Sequence, residues 1–311
     1  YVDVDRCTGC GACVQACPVG KRGAGDAPGR PRPVPSEFDQ GLSFRPAIHI
    51  PYPQAIPNAA VVDAAHCLHF QTGKCGICVT HCAAGAIDLA QTDREVALEA
   101  GAVILAPGFD CFDPSPLEPL GYGRFPNVVT ALEFERILSA SGPFGGRLVR
   151  PFDRAEPRRI AWLQCVGSRD ATLPENGYCS SVCCTYAIKQ AVVAKEHGRG
   201  GVETSIFFID MRTHGKEYER LYGRARDEQG VRFVRARIHT VIEDPETRGL
   251  RLRYAAEDAS VREETYDLVV LSAGLQVSAR AGRLARTAGV ETDRYGFRAA
   301  PPFDGVATSR P

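Results

Sequence analysis

The sequence predicts an α/β fold: a doubly wound, Rossmann-like core carrying an inserted α+β domain built around cysteines. Three observations support this. Eight of the thirteen cysteines fall into two groups of four within the first 82 residues. A strand–helix–strand rhythm runs from residue 159 to 209, the pattern of a parallel sheet with crossover helices. Two small-residue turns, Ala106-Pro107-Gly108 and Ala273-Gly274, close apolar strand-like runs and bracket that unit.

The first element, Tyr1 to Asp5, reads as a strand leading into Cys7-x2-Cys10-x2-Cys13-x3-Cys17-Pro18. This is the bacterial [4Fe–4S] spacing, in which three thiolates of a compact loop meet one cubane and the fourth cysteine serves another. Gly9 and Gly11 relieve the tight backbone. The second group, Cys67, Cys75, Cys78 and Cys82, reads as a repeat, Val62-Asp63 preceding it as Val4-Asp5 precedes the first. Cys7, Cys10, Cys13 and Cys82 are therefore expected around one cluster and Cys17, Cys67, Cys75 and Cys78 around the other, in a dicluster ferredoxin-like domain over residues 1–92. Seven residues between Cys67 and Cys75, and Ala83 in place of proline, depart from the pattern. Disulfides suit small secreted domains, and zinc prefers paired knuckles with a wider gap, so both fit less well than cubanes. His66, His69 and His81 flank these cysteines, either to tune them through hydrogen bonds or as ordinary surface histidines.

Residues 21–57 form a Gly- and Pro-rich insertion in which helices and central strands are blocked. It reads as a flexible linker or, given Phe38, Phe44 and Tyr52, as a segment partly packed on the cysteine domain. In residues 93–157, Glu95 to Glu99 alternates like a strand and Gly101 to Gly108 reads as a buried strand ending in a turn. Residues 158–275 supply a strand at Arg159–Leu163, a helix from Ser181 to Glu196 and a strand at Ser205–Ile209. They continue with a helix over 216–229, strands over 231–243 and 249–255, and a last strand within Tyr266–Leu275. Residues 276–311 read as a return segment. A single methionine, Met211, and an opening directly in a strand suggest a piece of a longer protein.

After the strand at 159–163 a nucleotide-binding unit should show G-x-G-x-x-G, whose backbone cradles a pyrophosphate at the helix N-terminus. The chain instead reads Gln164-Cys165-Val166-Gly167-Ser168-Arg169-Asp170, which argues against NAD(P). Cys165, Cys179, Cys183 and Cys184 cluster there, and a helix through the last three would aim them toward Cys165 as a third [4Fe–4S] site. The alternative is a set of buried cysteines behaving as small hydrophobes. Cys111 has no partner at ligand spacing and reads as structural.

Over all 311 residues, 37 Lys and Arg balance 37 Asp and Glu, so composition gives no push toward nucleic acid or an anionic membrane. The apolar runs are strand-length, far short of a transmembrane segment. A cytoplasmic, reducing setting is expected.

Several longer stretches resemble the iron–sulfur flavoprotein component of heterodisulfide reductase and its relatives. They are Ile50-Pro-Tyr-Pro-Gln-Ala-Ile-Pro-Asn58, Gly101-Ala-Val-Ile-Leu-Ala-Pro-Gly-Phe-Asp110, Leu132-Glu-Phe-Glu-Arg-Ile-Leu138, Cys165-Val-Gly-Ser-Arg-Asp170 and Cys183-Cys-Thr-Tyr-Ala-Ile-Lys-Gln190. The resemblance implies an iron–sulfur flavoprotein with a thioredoxin-reductase-like core. In it, residues 93–157 hold a partial FAD-domain segment and 276–311 return to that domain. It implies electron relay, and in some members bifurcation, to other subunits of a heterodisulfide-reductase-like complex, with ferredoxin or hydrogenase-type donors and acceptors. It sets Ala106, Pro107, Gly108 and Gly274 on the FAD side and Lys189 near the flavin ring, where a solvated helix lysine is the alternative. Ala106-Pro107-Gly108 replaces the family's Ala-Thr-Gly, and its glycine-rich FAD fingerprint lies outside these residues, so this chain alone is expected to hold FAD weakly or not at all. The rival readings are a related component of a quinone-linked oxidoreductase of sulfur metabolism and a redox relay without flavin.

Overall fold

The computed structural model describes residues 1–20, 33–170, 172, 174–199, 201–307 and 309. The first third of the Gly- and Pro-rich insertion, 21–32, thus lies outside the described residues. The chain divides into two compact units, Tyr1–Gly101 with Ser139–Gly146, and Ala102–Leu138 with Arg147–Pro311.

The first unit holds α1 (Ala12–Ala16), two short antiparallel pairs, β1 (Val34–Pro35) with β2 (Phe44–Arg45) and β3 (Ile48–His49) with β4 (Val61–Val62), then α2 (Leu68–Thr72) and α3 (Ile77–Thr80). Its core is thin: Val19, Val34, Ala47, Ile48, Ala60 and Ile87 pack with the buried Cys13 and Cys17. So small a core leaves a need for staples of the kind that metal–thiolate bonds can supply. The internal repeat aligns Val2-Asp3, not Val4-Asp5, with Val62-Asp63. Asp3 and Asp63 each stand four residues before a cysteine, and their carboxylates accept from the N–H of Asp5 at 3.0 Å and of Ala65 at 3.1 Å. The expected opening strand is reduced to a single bridge between Val2 and Ile87. Within the insertion, Phe38 stacks on Tyr52 at 5.8 Å and Arg45 binds both Glu37 and Asp63, whereas Phe44 stays exposed.

The second unit runs β5 (Asp110–Cys111), β6 (Val128–Thr130), α4 (Ala131–Leu138), β7 (Arg159–Val166), α5 (Cys183–His197), β8 (Glu203–Phe208), α6 (Tyr218–Asp227) and β9 (Arg232–Arg235). A meander of β10 (Val241–Glu243), β11 (Leu250–Ala255) and β12 (Val261–Tyr266) leads to β13 (Leu268–Ala273), β14 (Leu275–Gln276) and α7 (Ala279–Ala288). The central sheet is parallel throughout, ordered β6-β13-β7-β8-β9. Its middle strands are near-continuous apolar runs because both faces are covered, and Ile160, Ala161, Trp162 and Leu268 to Leu271 are fully buried. Helix α5 lays Ala187, Ile188, Ala191 and Ala194 on the sheet. Gln190 fixes that docking: it accepts from Trp162 Nε1 at 2.9 Å and donates to Ala131 O at 3.1 Å.

Three expectations fail. Residues 95–99 and 101–108 form no strand, and Val103 and Ile104 are 77% and 92% exposed. An apolar run becomes a strand only where a neighbouring backbone takes up its N–H and C=O groups, and none among the described residues pairs with this one. The helix expected from Ser181 begins at Cys183, because Ser181 takes a left-handed φ of 63° that a helix cannot propagate. The run over 231–243 also splits into β9 and β10. No helix among the described residues is long and apolar enough to cross a membrane.

Candidate metal centres

The first motif winds through Gly9 and Gly11, both at positive φ, into α1. A side chain on Gly9 would meet Asn58 at 2.5 Å, so only glycine permits this approach. Cys7, Cys10 and Cys13, with Cys82 arriving just after α3, line a cavity of about 180 Å³. The Ala86 N–H donates to Cys82 Sγ at 3.3 Å. Burial pushes the Cys13 thiol up, while the backbone N–H of Ala12 holds the exposed Cys10 thiol below its ordinary value. Four sulfurs around a void, with backbone donors aimed at them, fit a cubane.

Cys17, the last cysteine of the first motif, faces the other way. With Cys67, Cys75 and Cys78 it lines a tighter cavity of about 20 Å³ floored by Val19, Ala47 and Ile48. The additional residues between Cys67 and Cys75 are taken up by α2, which ends on the left-handed Gly73. Burial raises the Cys78 thiol, and the nearby Cys67, Cys75 and Cys17 sulfurs push it further. The three histidines turn elsewhere: the Nδ1 atoms of His66, His69 and His81 lie 2.7, 2.7 and 2.9 Å from Asp63, the Cys75 carbonyl and the Ile77 carbonyl. Among the described residues, no three Cys, His, Asp or Glu side chains converge on a point that would hold a single metal ion.

The remaining set lies at the carboxyl ends of β7 and β13, where the strand order reverses and open α/β sheets bind ligands. The β7–β13 register shifts between Leu271 and Ala273, and Cys165 takes a left-handed φ of 61°, which re-aims its side chain. Gly167 follows at φ 65°, with the Phe112 ring only 2.1 Å from where a Cβ would stand. Cys183 and Cys184 open α5, and Cys179 precedes it in non-helical chain, its Sγ accepting from the Ser181 N–H at 3.4 Å. The Cys183 and Cys184 sulfurs lie 3.9 and 3.8 Å from the carbonyls of Ala273 and Asp210. Burial, reinforced by the neighbouring cysteines, pushes Cys183 up to about 11 and raises Cys184. Burial also raises Cys165, against which the Arg169 charge works. Buried thiols are poor thiolates on their own, so a metal bound here would have to displace their protons.

Sequence reasoning missed Arg169, Tyr186 and Asp210. Arg169 pairs with Asp210 at 2.6 Å, and the half-buried Tyr186 donates its hydroxyl to Ala273 O at 3.3 Å beside Cys183. The run Cys165 to Asp170 hinted at Arg169 and the run Cys183 to Gln190 at Tyr186, whereas Asp210 comes from a distant element.

The four FAD-side residues form no cradle among the described residues. Ala106, Pro107 and Gly108 are exposed, and Gly274 is packed so that a Cβ would meet Ser168 Oγ at 2.4 Å. Lys189 points to Glu135 at 3.4 Å and is 60% exposed. Cys111 pairs with Leu275 in the β5–β14 ribbon and is half-buried.

A family model described as a 4Fe-4S binding domain matches residues 1–20. The chain is 42% identical over 300 residues to the iron–sulfur subunit of the CoB–CoM heterodisulfide reductase of Methanocaldococcus jannaschii, covering 96% of this chain and 42% of that protein. It is 43% identical over 300 residues to the corresponding subunit of the H2/formate:CoB–CoM heterodisulfide,ferredoxin reductase of Methanococcus maripaludis, with the same coverage. Against the corresponding subunit of the ferredoxin:CoB–CoM heterodisulfide reductase of Methanosarcina mazei the identity is 35%, over 92% of this chain and 34% of the other. The chain thus spans under half the length of these relatives. Among solved structures, thioredoxin reductase from T. acidophilum aligns at 10% identity with a TM-score of 0.35, over 62% of this chain and 50% of that one, a likeness too slight to build on.

Proposed function

We propose, from the premise that this chain is a homologue of the iron–sulfur subunit of CoB–CoM heterodisulfide reductases, that it is the electron-relay part of such a protein. Twelve of its thirteen cysteines would hold three [4Fe–4S] clusters: Cys7, Cys10, Cys13 and Cys82; Cys17, Cys67, Cys75 and Cys78; and Cys165, Cys179, Cys183 and Cys184. Such a cluster, when bound, takes up and releases one electron at a time with little movement of its ligands. The protein's part is to hold four sulfurs, aim N–H donors at them and set their exposure.

The observation that carries this reading is the exchange of fourth cysteines between the two motifs, Cys82 joining the first cavity and Cys17 the second. Shared backbone between two such sites would keep them close enough for electrons to pass. Cys10, exposed at the rim, is the natural point of entry or exit for a partner's electrons. FAD, the partner subunits, ferredoxin or hydrogenase-type donors and acceptors, and a cytoplasmic setting belong to the proposal for the whole protein. There Lys189 would stand near the flavin once released from Glu135. The four FAD-side residues form no cradle among the described residues.

Anaerobic reconstitution should load about twelve irons, four per cubane. The variant Cys183→Ser, Cys184→Ser should hold about eight. A double variant that kept the full cubane EPR signal would remove the third centre from the proposal.

A further inference from the structure

Arg169 is built unlike an ordinary surface arginine. It stands four residues beyond Cys165 on a left-handed φ of 54°, and its side chain is only 20% exposed. Asp210 clasps one end, accepting from Nη2 at 2.6 Å. The other end is unused: Nη1 is buried and has no hydrogen-bond partner among the described residues. The same Asp210 lends its backbone carbonyl to Cys184 Sγ, so one residue ties the guanidinium to the cysteine set. Other cations lie near, but Arg237 is committed to Asp170 at 2.9 Å, and Arg212 and Arg235 sit 3.7 Å from Asp210 on more exposed side chains.

A buried N–H on a charged group is costly to leave without an acceptor, and the neighbouring Cys165 sulfur, whose thiol the Arg169 charge already favours ionising, becomes a strong acceptor once it is a thiolate. We propose that Arg169 is the charge partner of the third cysteine centre, its free Nη1 donating to the sulfur of Cys165 and its positive charge making the bound cluster easier to reduce. The inference rests on the reading of Cys165, Cys179, Cys183 and Cys184 as ligands and adds a positioning residue to it. In the step concerned one electron enters from an external low-potential donor, no bond forms or breaks and no proton moves. The cubane with its four thiolates goes from two negative charges to three. A fixed cation held by a carboxylate favours the more negative state, as hydrogen bonds to sulfur do.

The test is an EPR redox titration of the reconstituted full chain with dithionite as donor, the third centre being identified as the signal lost in Cys183→Ser, Cys184→Ser. Arg169→Gln should lower that centre's midpoint potential by at least a tenfold change in its reduction equilibrium, about 59 mV for one electron. Arg169→Lys should recover most of the shift, while Asp210→Asn, which leaves the cation unopposed, should move the potential the other way. An unchanged potential in Arg169→Gln, with the cluster loaded, overturns the inference and leaves the ligand set standing. If Arg169→Gln fails to load the cluster, Asp210→Asn decides: an upward shift supports the proposal, and none overturns it. A parent chain with no signal assignable to the third centre defeats the ligand reading itself.

Discussion

Single residues decide which sulfur meets which cavity. Cys17 and Cys82 each end a motif, yet each turns away from its own three neighbours, because the chain leaves α1 and α3 extended or in a tight turn. A substitution at one end should therefore damage the centre nearer the other end. Cys82→Ser should perturb the cluster held by Cys7, Cys10 and Cys13, and Cys17→Ser the one held by Cys67, Cys75 and Cys78. Each EPR signal can be assigned through Cys10→Ser and Cys75→Ser. The opposite pairing of effects would mean that each motif closes on its own cluster. Spacing made this exchange legible, since three-residue steps leave one loop able to face a single cubane with only three of its thiolates. Arg169 was not legible as a partner, because nothing local announces that Asp210, forty-one residues on, would hold one of its nitrogens and leave the other bare.

Among the elements, the strand–helix–strand rhythm of 159–209 carried most of its periodicity into the structure, since β7, α5 and β8 bury most of the residues their apolar patterns mark, while Val182, just before α5, stays exposed. What holds the sheet's polar flank together is less visible in the sequence. Glu264 on β12 is 16% exposed, pairs with Arg159 of β7 at 3.0 Å and Arg232 of β9 at 2.6 Å, and accepts from the hydroxyls of Tyr254 and Tyr266. Burial alone would raise its carboxyl, but these donors outweigh burial and hold it at about 2, below the ordinary 4.5. A group depressed in the folded state stabilises above its unfolded pKa and loses that contribution as pH falls through the folded one. The metal-free chain should lose roughly 2–3 kcal/mol through this carboxylate between about pH 5 and pH 2. Glu264→Gln should flatten that part of the slope. Urea titrations followed by the fluorescence of Trp162, the sole tryptophan, would show it.

For the whole molecule, the contrast lies between the cysteine sets proposed as centres and the FAD-side residues, which form no cradle among the described residues. Twelve cysteines gather in sets, whereas Ala106 to Gly108 stands in solvent. The reconstituted chain should thus carry iron but release no flavin on denaturation. One flavin recovered per chain would show that the exposed 95–108 segment orders around it. The sequence by itself determined the cysteine loops and the α/β rhythm, because both are short-range: a loop of a dozen residues sets where three thiolates point, and periodicity sets which face is buried. Tertiary structure alone decided three things: the left-handed turn at Cys165, the pairing of Arg169 with Asp210, and that the apolar run at 101–106 is no strand. Each depends on a neighbour far away in the chain. A bulge beside β13, a carboxylate after β8 and a missing sheet partner leave no mark on the local pattern of residues.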